Sequence, residues 1–113
     1  MSRSIQQRLH DVLESCAAIT RYIAGQNYDD SMENELVRDG VERRLEIIGE
    51  ALNRARQLDP DLVYRIPELH DVVGLRNRLA HGYESTDDRI IWDAIHDRLP
   101  ALELQVTAML EDR

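Results

Sequence analysis

Apolar positions recur at three- and four-residue steps along almost the whole chain, the spacing of helices that bury one face each. Ile5, Leu9, Val12, Leu13, Cys16, Ile19 and Ile23 form the first stripe, with Ser4-Ile5-Gln6-Gln7 as its capping box and Gly25 as its stop. Residues 25–30 are a polar connection, and Asp30-Ser31-Met32-Glu33 offers the cap of a second helix. Met32, Leu36, Val37, Val41, Leu45, Ile48, Leu52 and Ala55 carry that stripe to Leu58. This predicts one helix of roughly 25 residues, about 38 Å long. Gly40 and Gly49 lower its helix propensity, and the usual compensation is close approach by a neighbouring helix, so Gly49 is expected at a crossing.

Asp59-Pro60-Asp61 breaks the chain, a short turn is expected over residues 62–64, and Pro67 suits the first position of a third helix. Leu69, Val72, Val73, Leu75 and Leu79 give that helix its inward face. Gly82 can take the left-handed conformation that ends a helix, which puts His81 at or beside its C-terminus. Thr86-Asp87-Asp88 caps a fourth helix with Ile90, Ile91, Ala94, Ile95 and Leu99 inward. Pro100 must kink or restart it before Leu102, Val106, Met109 and Leu110. The pattern predicts an all-α, up-and-down bundle of four main helices in about five segments, with residues 1–113 as a single domain.

Composition supports this and narrows the chemistry. Hydrophobic residues make up 42% of the chain and charged residues 32%, and with no Phe the core should be aliphatic. Cys16 is the only cysteine and lies on an apolar face, so a buried thiol is expected in place of a disulfide or a nucleophile. The lone cysteine and an N-terminus that runs into an amphipathic pattern instead of an apolar signal core predict the reducing cytoplasm, and with no apolar run near the roughly 20 residues that cross a bilayer a soluble protein without membrane contact is expected. The net charge of −8 argues against the broad basic face of non-specific nucleic-acid binders. Any contact with RNA must come from a local patch.

Residues 72–83 supply one: they contain Arg76, Arg78 and His81 and no acidic residue. Arg76 stays charged at physiological pH and offers a planar fork to phosphate, while His81 exchanges a proton near neutrality. On an unbroken helix the two would lie about 140° apart, so they reach one site only if the helix ends near His81, as Gly82 allows, or the long arginine bends across.

Arg76-Asn77, three further residues and then Gly82-Tyr83 after His81 resemble the Arg-x-x-x-x-His-x-Tyr motif of HepT-like proteins in the HEPN superfamily. The Arg-Leu-Glu-Ile-Ile-Gly-Glu-Ala run of residues 44–51 also resembles that family's second helix. The resemblance implies a HEPN-like bundle and a metal-independent endoribonuclease without cofactor, the toxin of a toxin-antitoxin pair. It assigns Arg76 to the scissile phosphate, His81 to proton transfer and Asn77 to orienting the site. It implies a homodimer with a composite site, which agrees with a chemistry that needs both an acid and a base from a motif with one histidine per chain. Tyr83 matches the tyrosine that an MntA-like nucleotidyltransferase antitoxin modifies with AMP. The alternative is a non-catalytic helical partner of such a nucleotidyltransferase.

Other polar residues have plainer readings. Arg78 reads as solvent-facing or substrate-steering, with a surface ion pair favoured, and Glu46 and Glu50 could face the cleft, though a solvated helix face is the favoured reading. His10 with Glu14, His70-Asp71 and His96-Asp97 read as surface pairs, since none makes a convergent ligand set; no metal site is expected. Trp92, Tyr22 and Tyr28 are better explained by packing or an interface than by stacking on a base.

Overall fold

The computed structural model describes residues 1–80 and 88–112. Its elements are α1 (Arg3–Ile23), α2 (Tyr28–Glu33), α3 (Glu35–Leu58), α4 (Leu62–Arg65), α5 (Leu69–Ala80), α6 (Asp88–Asp97) and α7 (Leu99–Glu111), with no strand among the described residues. The all-α bundle is therefore as the periodicity predicts. Five long helices correspond to the expected segments, and two short ones fill the connections.

The differences lie at the helix starts. Ser2, two residues earlier than the expected Ser4 box, caps α1 by accepting the Ile5 N–H at 3.2 Å. The anticipated second helix is two. Asn27 caps α2 in a reciprocal box with Asp30, and Asn34, extended at φ −97° and ψ 99°, accepts the Val37 N–H and starts α3 afresh. Asparagine competes well for backbone donors and is a favoured cap, so an Asn between two apolar-periodic stretches can divide them. Pro67 is not the first helical residue either: α5 begins at Leu69, and the Val72 N–H bonds the Glu68 carbonyl. Pro100 does restart the chain, in the first turn of α7. The Thr86 and Asp87 cap and the Gly82 stop lie outside the described residues.

Helix α3 is the spine, 24 residues and about 36 Å long. It packs against α1, α5, α2 and α4, while α7 lies against α1 and α6. Leu9, Val12, Cys16 and Ile19 of α1 meet Leu45, Ile48, Leu52 and Ala55 of α3 in a continuous aliphatic core that Leu62, Ile66, Leu69, Leu102 and Val106 complete. Leu36, assigned inward by pattern, is 83% exposed because it lies about 140° around α3 from Val41, off the stripe that faces the core. Ile90 also points largely outward, a residue before the buried Ile91.

Tyr22 packs on Gly40 and its hydroxyl accepts from Arg44 at 3.3 Å, while Tyr28 and Trp92 meet edge to face at 6.1 Å. These aromatics are packing groups, as expected. No described helix is long and apolar enough to cross a membrane. Cys16 is fully buried, and that burial, with a smaller contribution from Glu103, pushes its thiol up to about 12. The native protein should therefore resist iodoacetamide at pH 8 and label at Cys16 only in denaturant, measured by intact mass; rapid labelling without denaturant would contradict the packing of α1 on α3.

Candidate functional site at the crossing of α3 and α5

The crossing of α3 and α5 has a notch where Gly49 lacks a side chain. A Cβ at position 49 would overlap the Cβ and Cγ of Arg76, atoms too near the α5 backbone to swing aside. The arginine's stem thus lies directly on the α3 backbone, as the glycine's predicted place at a crossing requires. Beyond the notch the guanidinium is held at both ends. Its NH2 group pairs with Glu50 Oε1 at 3.1 Å and its NH1 group donates to Asn77 Oδ1 at 3.1 Å. Nε is buried without a partner among the described residues. Such an unmet donor costs about 1–3 kcal/mol, and groups of this kind concentrate where function demands them. The Arg76 side chain is 27% exposed and that of Glu50 55%, so the charged end is open to an incoming anion.

Arg76 and Asn77 are therefore brought together. His81 and Tyr83 lie outside the described residues, and His81 follows in sequence directly after the last residue of α5. Arg78 projects from another side of α5, exposed and lining a cleft toward α6. Of the two glutamates read as a solvated face, Glu46 pairs with Arg43 at 3.3 Å and stays in that role. Glu50 belongs to the Arg76 site. The available signal was its place beside Gly49 in the 44–51 run, whereas the pairing itself spans 26 positions and had no periodic mark.

The histidine pairs are not those read from adjacency. Asp71 pairs with Arg98 at 2.9 Å in place of His70, and His96 sets Nδ1 2.8 Å from the Trp92 carbonyl with its ring against the indole. No cluster able to hold a metal occurs among the described residues.

Fold and site together define an all-helical domain in which Arg76, fixed at a helix crossing, is the first residue of an Arg-Asn-x-x-x-His-Gly-Tyr segment. The chain belongs to the HepT-like ribonuclease family, whose description, "Ribonuclease HepT-like", matches residues 12–109 and so takes in Gly49, Glu50 and the whole of 76–83. It is 31% identical over 106 residues to a "Putative RNase" of Methanocaldococcus jannaschii, covering 92% of this chain and 94% of that one. A second "Putative RNase", of Caldanaerobacter subterraneus, is 29% identical over 103 residues with 91% of both chains covered. "Probable ribonuclease HepT" of Thermococcus cleftensis is 28% identical over 107 residues, 91% of this chain and 93% of its own. No solved structure matches the chain.

Two substitutions rank the interactions that place Arg76. Gly49→Ala should cost about 1–3 kcal/mol, because α3 and α5 must part to admit the methyl group. Glu50→Ala should cost less than about 1 kcal/mol, because the ion pair is largely solvated. Urea unfolding measures both, and the reverse order would mean that the ion pair, not the notch, sets the crossing.

Proposed function

We propose that this protein is an endoribonuclease that cleaves RNA by metal-independent transesterification, acting as the toxin of a toxin-antitoxin pair in the cytoplasm. The observation that carries the reading is Arg76, an arginine immobilised in the Gly49 notch with its charged end accessible, in the first position of the motif. Relatives named as ribonucleases across more than nine-tenths of both chains support it.

In this reading Arg76 binds a non-bridging oxygen of the scissile phosphate and offsets the charge that accumulates there in the transition state. Glu50 and Asn77 hold the guanidinium in place before substrate arrives. The RNA 2′-hydroxyl attacks phosphorus, forming the 2′-O–P bond as the P–O5′ bond breaks. One His81 takes the proton from the 2′-oxygen, and a second, protonated His81 supplies one to the departing 5′-oxygen. The products are a 2′,3′-cyclic phosphate and a 5′-hydroxyl. Since each motif has one histidine, the pair comes from two chains, and a homodimer doubles the arginines around the cleft of an otherwise acidic protein.

Tyr83 lies two residues beyond His81 and is the proposed site of AMP transfer by an MntA-like nucleotidyltransferase antitoxin. The adenylyl phosphate would occupy the place of substrate phosphate and repel it, so modification silences the enzyme.

Purified protein should cut RNA in EDTA to products with 2′,3′-cyclic phosphate ends. His81→Ala should lower the rate by about 10²–10⁴-fold and Arg76→Ala by about 10²–10³-fold. Equal activity in all three proteins would refute the enzyme reading and leave a non-catalytic partner of a nucleotidyltransferase. Co-expression with the cognate nucleotidyltransferase should add one adenylyl group at Tyr83 by peptide mass spectrometry; an inhibited complex with unmodified Tyr83 would refute that mode of silencing.

A further inference from the structure

Of the three described glycines within helices, two are explained by a neighbour. Gly40 receives the Tyr22 ring, whose nearest atom would stand 3.1 Å from an added Cβ, and Gly49 receives Arg76. Gly74, in the middle of α5, is not: a Cβ there would meet nothing within 4 Å. A helix-interior glycine that no described residue requires lowers helix propensity without return from packing among them, unless a ligand approaches it.

Gly74 faces a cleft of about 330 Å³ between α5 and α6. The cleft exists because α6 takes its main packing from α7 and α2 and leaves a gap beside α5. Leu45, Leu75, Ile90 and Leu99 contribute apolar lining, and Arg78 and Arg98 stand among the wall residues with His70 and Asp71. Asp71 is neutralised by Arg98 at 2.9 Å, which Glu68 also holds at 3.2 Å. Arg78, one turn beyond Gly74, has no hydrogen-bond or ionic partner among the described residues. The volume is at the small end of ligand clefts, which begin near about 300 Å³, and an apolar slot walled by arginine suits a flat base joined to a phosphate.

We propose that this cleft is a nucleotide subsite, with the base over Gly74 between α5 and α6 and its phosphate on Arg78. Positions 74 and 78 lie about 160° around α5 from Arg76, so the subsite is separate from the arginine at the α3 crossing. That its natural occupant is a nucleotide of an RNA strand rests on the ribonuclease reading; the preference for a nucleotide does not.

The test uses Gly74→Leu, which fills the cleft and should fold, since the space is open and the helix gains propensity. Uridine and adenosine 5′-monophosphates are titrated and followed by amide NMR, with inorganic phosphate as a further arm and sedimentation on every protein. Shifts centred on Gly74, Arg78, Ala94 and Arg98 are expected, with affinity reduced about tenfold or more by Gly74→Leu and by Arg78→Ala. The melting temperature of Gly74→Leu should be no lower than the parent's, and Arg76→Ala should bind nucleotide like the parent. Nucleotide affinity untouched by Gly74→Leu, equal binding of inorganic phosphate, or a Gly74→Leu protein that loses self-association would each overturn the subsite. The last would make the cleft an interface between copies. Protein that binds nucleotide here but cuts no RNA would refute the ribonuclease reading alone.

Discussion

The contact on which the site depends is that of the Arg76 stem with the α3 backbone at Gly49. Without a side chain at position 49, α5 comes close enough for an arginine to lie flat in the crossing, and its guanidinium emerges beside Glu50. Ordering such a side chain costs about 2 kcal/mol of rotamer freedom, and here folding meets that cost before any ligand arrives. The pairing with Glu50 aims the charge without locking it. A half-exposed ion pair contributes less than about 1 kcal/mol, so an incoming phosphate can displace or share it at little cost. A rigid stem and a weakly tethered head are what an anion-binding arginine needs.

The same crossing explains how an acidic chain can present positive charge. Several arginines are answered by carboxylates: Arg43 by Glu46, Arg65 by Asp112, Arg89 by Asp93, and Arg98 by Glu68 and Asp71. Along α5, however, the residues after Asp71 carry no acid, so Arg76 meets only Glu50 from α3 and Arg78 meets no carboxylate among the described residues. The net charge of −8 is therefore a poor guide to the field at this one helix, because salt screens charges more than about 8–10 Å away and leaves the nearby ones in command.

Much of the fold was legible because the apolar stripes of α1, α3, α5, α6 and α7 are regular, and their inward residues are those predicted apart from Leu36 and Ile90. Boundaries were harder. Asn34 divides what periodicity reads as one helix, since a cap is a local hydrogen-bond choice that apolar spacing does not encode. For the site, the motif picked out Arg76 and Asn77, and helix propensity picked out Gly49 as a crossing. Glu50 was legible only as one of two glutamates that could face the cleft: its partner is 26 residues away, and only the packing of α3 on α5 sets them side by side. Gly74 was equally silent, because a glycine's meaning depends on whether the space beside it is filled or open.

Position 49 and position 76 share one space. A double-mutant cycle in urea tests it directly, with Gly49→Ala, Arg76→Gly and the two combined. If the crossing is as described, the alanine is destabilising in the parent and much less so once residue 76 has no side chain, giving a coupling of at least about 1 kcal/mol. Effects that add to within about 0.5 kcal/mol would mean that the two side chains never compete for that space, and the account of how Arg76 is held would be wrong.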